Sequence, residues 1–148
     1  MRICAERIWT GWASTRQIDA TSSDVKNARG LNYLLLGEFD SALQACETEK
    51  RDWQCRLCMA ILYYRLSRHA DAESERAPMQ AEFGEGVAYQ MAEIYAQWGN
   101  IPKALDWLDA AYRLPDSGMV TLRVDQLVDP LRKEPRFREI ERKLNFPN

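Results

Sequence analysis

The side chains that could carry out chemistry in this 148-residue sequence are four cysteines and a single histidine. Cys55 and Cys58 have the CxxC spacing that redox pairs and metal sites use. A reactive CxxC pair usually lies at a helix N-terminus beside a strand, and no strand is indicated near these residues. Structural zinc would need Cys46 as a further ligand and Cys4 or His69 as the fourth. We therefore expect packed thiols, with no metal ligand or cofactor assigned, and a Cys-based redox or metal-binding protein is the less favoured alternative.

No other arrangement of residues typical of catalysis is present in the sequence. There is no HExxH motif, no phosphate-binding glycine loop and no Ser-His-Asp order. His69 occupies a predicted turn between helices, where packing is a sufficient role. The acidic pairs Glu47 with Glu49 and Glu73 with Glu75 are predicted on solvated helix faces. We expect a protein that is not an enzyme.

The elements that must position these residues are helices. Strand-like alternation of Val, Ile and Thr is nearly absent, and apolar residues recur at i, i+3, i+4 and i+7 within residues 39–46 and 101–112. A chain with 46% hydrophobic and 28% charged residues is typical of one soluble domain. Four cysteines are too few for a disulfide scaffold, so we expect reduced thiols and a cytoplasmic location.

Charge and hydropathy exclude two classes of partner. Residues 38–119 hold 14 acidic and 8 basic residues, a net charge of -6, whereas nucleic-acid binding requires a concentrated basic surface. No stretch reaches the roughly 18 apolar residues of a membrane span. Residues 1–10 carry three charges and so lack the apolar core of a secretory signal. We expect neither a nucleic acid nor a membrane as partner.

One sequence pattern, which we call the repeated phrase, occurs three times, and its tyrosines stand 30 and 32 residues apart. Small residues precede each tyrosine by three positions and follow it by nine, and they allow two helices to approach closely. A glycine or serine four positions after the tyrosine supplies the left-handed conformation that ends the first helix. The equivalent positions are Gly30, Tyr33, Gly37 and Ala42; Ala60, Tyr63, Ser67 and Ala72; and Ala92, Tyr95, Gly99 and Ala104.

This pattern resembles the tetratricopeptide repeat, whose consensus is roughly W-x2-L-G-x2-Y, then A-x3-F, then P. Three units fall at about residues 23–56, 53–84 and 85–116. Lys26, Arg56 and Ala88 stand where the consensus has tryptophan. The resemblance implies an all-α fold, a right-handed superhelix of about three helical hairpins.

Residues 124–137 are similar to the segment that follows the last repeat in many bacterial tetratricopeptide signalling proteins. Pro135 can open a helix in which Phe137, Ile140 and Leu144 share one face, so the segment is expected to cap the last hairpin. The resulting organisation is an N-terminal helix and linker over residues 1–22, three hairpins over 23–116 and a capping segment over 117–148.

The resemblance also implies a concave groove lined by the first helix of each hairpin. We expect a non-catalytic scaffold that binds a peptide or helix there, with Tyr64 and Tyr89 as anchors. One alternative is an oligomerising or regulatory module of a bacterial signalling or transcription-regulator system, including a homodimer through Trp9 and Trp12. Another is that neighbouring helices simply pack these residues. The predicted partner-binding residues are Asn27, Leu31, Leu34, Leu57, Ile61, Tyr64, Arg65, Tyr89, Gln90, Glu93 and Gln97.

Overall fold

A computed structural model describes residues 23–47 and 53–146, with side chains from residue 29 onward. These residues contain helices and no strand, which confirms the all-α prediction. The α-helices are α1 (Ser23–Leu36), α2 (Phe39–Glu47), α3 (Trp53–Arg65), α4 (His69–Phe83), α5 (Ala88–Gln97), α6 (Ile101–Arg113) and α7 (Pro135–Leu144). Short 3-10 helices lie at Gly84–Val87, Ser117–Thr121 and Asp129–Leu131.

The described residues divide into two compact units, 23–47 and 53–146. In the first, α1 packs against α2 as a hairpin. In the second, α3 pairs with α4 and α5 pairs with α6, α3 also contacts α5, and α7 packs on α6. The predicted N-terminal helix, with Trp9 and Trp12, lies outside the described residues.

The three hairpins close with the same backbone turn. A residue with positive φ ends each first helix: Gly37 at 77°, Ser67 at 60° and Gly99 at 75°. The next backbone N–H then donates to the carbonyl of the repeated tyrosine, at 2.9, 2.8 and 2.9 Å in the three hairpins. This is the bonding of a Schellman cap, which satisfies carbonyls that the helix end leaves unpaired. The turns therefore sit where the repeated phrase predicts them.

The small residues of the repeated phrase are at the helix contacts. Ala42, Ala72 and Ala104 are fully buried, as are Ala60 and Ala92. Any larger side chain at these positions would push paired helices apart, because protein interiors have few voids to absorb it. The spacing of the phrase thus predicts both the turn and the contact face within each hairpin.

The expectation that Glu75 is solvated is wrong. Glu75 is buried, and its Oε2 accepts from Nη1 of Arg56 at 3.3 Å, an ion pair that joins α4 to α3. Glu73 is exposed as expected and pairs with Arg76 on its own helix. Arg56 stands where the repeat consensus has tryptophan, so a charged pair fills that position in this hairpin.

The C-terminal helix forms where Pro135 predicts it. Phe137 and Ile140 are buried on the face that the spacing indicates, and Leu144 is half-buried. Arg136, beside them, donates to Asp106 of α6 at 2.8 Å and also pairs with Asp109. Apolar burial and exposed ion pairs therefore both attach α7 to α6.

Replacing Ser67 by glycine should stabilise the fold. The left-handed conformation costs a residue with a Cβ about 1–2 kcal/mol, and glycine avoids this at some cost in unfolded-state entropy. We expect Ser67→Gly to raise the free energy of unfolding by about 1 kcal/mol in urea titrations. The matched change Gly99→Ser, at φ 75°, should lower it by a similar amount. A destabilised Ser67→Gly variant would contradict the assignment.

Candidate functional site

Three of the predicted partner-binding residues meet where α3 and α5 end. Nη2 of Arg65 donates to Oε1 of Gln97 at 2.6 Å, which links the two helices. The ring of Tyr64 stacks on Trp98 with centroids 5.1 Å apart and planes 13° from parallel. The centroid of the His69 ring lies 4.5 Å from that of Tyr64. Arg65 and His69 are exposed, and the other three are half-buried. We call these five residues the Tyr64–Trp98 patch.

Trp98 holds the patch in place, although it is not among the residues predicted from the sequence. Its Nε1 donates to the backbone carbonyl of Ala60 at 3.1 Å, and its ring meets Tyr95 edge-on at 5.6 Å. A signal was available, because the residue before each left-handed turn is large and apolar in all three hairpins: Leu36, Leu66 and Trp98. Leu36 is 73% exposed, so the position is not simply a core position.

Five other predicted groove residues have buried side chains. Leu34, Leu57, Ile61, Tyr89 and Glu93 are all buried. Leu31 and Gln90 are half-buried, and the side chain of Asn27 lies outside the described residues. For the buried residues the alternative holds, since neighbouring parts of the chain pack them. Helical periodicity identified an apolar face without identifying what covers it.

Residues 116–127, which we call the cover segment, lie on α5 above Tyr89. The Tyr89 hydroxyl donates to Oδ2 of Asp125 at 2.9 Å, and the Tyr89 backbone N–H donates to Asp116 at 3.1 Å. A Cβ added to Gly118 would lie 2.5 Å from the Tyr89 ring. The backbone at Gly118 therefore touches the ring face, and Tyr89 is only 1% exposed.

Gln97 connects the patch to the end of the cover segment. Its Nε2 donates to the backbone carbonyl of Leu127 at 2.7 Å while its Oε1 accepts from Arg65. The Gln97 amide thus hydrogen-bonds to both the backbone carbonyl of Leu127 and the exposed guanidinium of Arg65. A neutral partner leaves the charge of Arg65 uncompensated, and no described carboxylate forms an ion pair with it.

Glu93 is a buried carboxyl group on α5. It is 8% exposed, and its Oε2 has no hydrogen-bond partner. Burial raises the pKa of the Glu93 carboxyl well above its usual range, and the nearby Asp125 and Asp116 raise it further. Burial and Asp125 likewise raise the pKa of the Tyr89 phenol, which keeps it a donor. Perturbed carboxyls often mark functional sites, but this one lies beneath the cover segment.

The cysteines differ from the expectation of reduced thiols. Cys46 and Cys58 are disulfide-bonded, whereas Cys55 is a buried thiol. The two cysteines of the CxxC spacing therefore do not bond to each other. No group of three His, Cys, Asp or Glu within residues 23–47 and 53–146 is arranged to hold a metal ion.

Comparison with known proteins adds no relative. No protein-family model, curated protein or solved structure matches the chain. In the part of the chain that the structure describes, every helix is too short or too polar to cross a bilayer. The inference of function consequently depends on the residues and their geometry.

Gly118→Ala should destabilise the second unit. The added methyl would meet the Tyr89 ring, and relieving such overpacking typically costs about 1–3 kcal/mol. We expect a loss of that size in the free energy of unfolding, measured by urea titration. Gly86→Ala is the control, because a Cβ there meets nothing within 4 Å and the backbone φ is not left-handed. Equal stability of the two variants would show that the cover segment does not pack on Tyr89.

The oxidation state of the cysteines can be counted directly. If Cys46 and Cys58 are oxidised, the protein isolated without reductant and unfolded in guanidinium should give no more than two reactive thiols. The same sample after reduction should give four. Four thiols before reduction would show that the disulfide state is not the state of the isolated protein.

Proposed function

We propose that this chain is a non-catalytic interaction scaffold of the tetratricopeptide type, a right-handed superhelix of hairpins that binds a peptide or helix of a partner protein. The observation that carries the proposal is the Tyr64–Trp98 patch, in which an exposed arginine adjoins a stacked pair of aromatic rings. Tyr, Trp and Arg are the residues most enriched at the energetic centres of protein interfaces.

The patch is already ordered without a partner. Trp98 is fixed by its bond to Ala60 and by the stack on Tyr64, and Arg65 is held by Gln97. Side chains that are fixed beforehand lose little conformational entropy on binding. Half-buried rings can bury further apolar surface, and Arg65 can still donate hydrogen bonds to an anionic or carbonyl group. A partner that joins an apolar side chain to a polar or acidic one matches this chemistry.

The repeated hairpin supports the choice of a scaffold over an enzyme. The same turn and the same helix contact occur in all three described hairpins. They give a structural role to the turn residues and the buried alanines of the repeated phrase. The predicted groove residues Leu57 and Ile61 are buried, which leaves Tyr64, Arg65 and Gln97 as the direct contacts in this proposal. Binding through Leu31 in the first unit and dimerisation through Trp9 and Trp12 stay as predictions.

The cysteine chemistry bears on location and on the redox alternative. A cytoplasmic location was expected from reduced thiols, and the disulfide bonding of Cys46 and Cys58 removes that ground, because the cytosol keeps most thiols reduced. A CxxC redox mechanism is disfavoured, since Cys55 and Cys58 are not bonded to each other. We therefore place no cofactor or catalytic role on these residues.

A pair of charge reversals tests the patch. Arg65 and Arg113 each lie in the last turn of a helix and are exposed, so Arg65→Glu and Arg113→Glu make the same charge reversal at equivalent helix positions. Partners should be captured from a lysate of the source cells, identified by mass spectrometry, purified and titrated against each variant. We expect Arg65→Glu, and Arg65→Glu combined with Tyr64→Ala, to weaken binding at least about tenfold, or about 1.4 kcal/mol.

Arg113→Glu is the control variant for this test. Arg113→Glu should bind as the wild type does, and circular dichroism should show unchanged helicity in all variants. If every captured partner binds Arg65→Glu and the double variant as tightly as the control, the patch is not the recognition surface.

A further inference from the structure

The carboxyl groups of Glu93 on α5 and Asp125 in the cover segment lie near each other. Only Asp125 accepts hydrogen bonds from neighbouring donors at both of its oxygens. Asp125 accepts from the Tyr89 hydroxyl at 2.9 Å and from the Leu127 backbone N–H at 2.8 Å. Glu93 is 8% exposed and has no hydrogen-bond partner at Oε2, and the nearby Asp125 carboxylate raises its pKa. A carboxylate stripped of both water and donors is unstable, so the shared proton belongs on Glu93.

No cation relieves this pair among the described residues. The ionisable groups that act on Glu93 are Asp125 and Asp116 from the cover segment, and Tyr89 lies one turn away on its own helix. Charged residues of the cover segment and of the elements packed around α5 have other partners or are exposed. Arg123 pairs with Glu141, Arg56 with Glu75, and Arg65 with Gln97. Lys103 lies over the Tyr95 ring, Arg132 bonds to Asp129 and the Asp125 backbone, and Asp106 and Asp109 pair with Arg136, while Glu85 is exposed.

We propose that the cover segment is a proton-dependent lid on α5, closed while Glu93 is protonated and donates to Asp125, and released when Glu93 gives its proton to water. Ionisation would place two negative charges side by side with Asp116 nearby, in a site of low dielectric. Opening separates Asp125 and Asp116 from Glu93 and lets water reach all three. It also exposes the Tyr89 ring, which the closed segment buries.

The direction of the pH dependence follows from the two states. Burial raises the pKa of Glu93 in the closed state, and solvation returns it to its ordinary value in the open state. The closed state therefore binds more protons, so its advantage is complete below the ordinary value and declines as pH rises. Between the two values the ratio of closed to open molecules falls by up to about tenfold for each pH unit. The lid does not depend on the proposed function of the Tyr64–Trp98 patch.

Hydrogen exchange on the full chain tests the lid. Amide protection within residues 116–127 would be measured by mass spectrometry from pH 5 to pH 9, corrected for intrinsic exchange and normalised to a peptide from α6. We expect wild-type protection to fall with rising pH, and Glu93→Gln protection to stay level, because the neutral amide can donate to Asp125 at every pH. Glu82→Gln, at an exposed glutamate of α4, should follow the wild type.

A second variant distinguishes the lid from a general loss of stability. Asp125→Asn removes the neighbouring charge, so the carboxyl carbon signal of Glu93, assigned by its absence in Glu93→Gln, should titrate at lower pH than in the wild type. The segment should also stay protected to higher pH, since an asparagine amide can donate to an ionised Glu93. Identical exchange profiles for wild type and Glu93→Gln, or a Glu93 titration at the ordinary value in wild type, would overturn the proposal.

Discussion

The structure depends on one backbone constraint, the left-handed residue that ends the first helix of every hairpin. At Gly37, Ser67 and Gly99 the chain reverses in a turn that returns its N–H groups to the helix it has just left. The turn fixes the phase of the second helix, and fully buried alanines then allow the pair to close. Because Tyr64, Arg65 and Trp98 lie within three residues of such turns, the same constraint brings them together at the ends of α3 and α5.

Most of the fold could be predicted because its signals are local. The turn glycines, the small residues nine positions after each tyrosine, and Pro135 all act within one or two helices, so spacing in the sequence carries the information. The site was harder to predict because its contacts are distant in sequence. Trp98 hydrogen-bonds to Ala60, and Tyr89 hydrogen-bonds to Asp125. The apolar periodicity of α5 predicts neither partner. The burial of Tyr89 and Glu93 is decided by a segment outside the repeats.

The second unit handles buried carboxyl groups in two different ways. Glu75 is buried opposite Arg56, so a neighbouring cation compensates its charge. Glu93 is buried opposite Asp125, and a proton removes its charge instead. The first arrangement needs no proton, because the arginine supplies the opposite charge. The second depends on a proton, and it lies where a segment without regular α-helix meets a helix. The ion pair thus lies in the hairpin of α3 and α4, whereas the proton-dependent pair involves α5 in the next hairpin.

The contact of Gly118 with the Tyr89 ring also dictates alignment. The segment around it reads Asp116, Ser117, Gly118, Met119, and a shift of one residue in either direction would place a serine or methionine side chain where the ring leaves no room. The segment can therefore pack on the helix in only one register. A foreign peptide that imitated its acidic residues without a glycine between them would be rejected on shape alone.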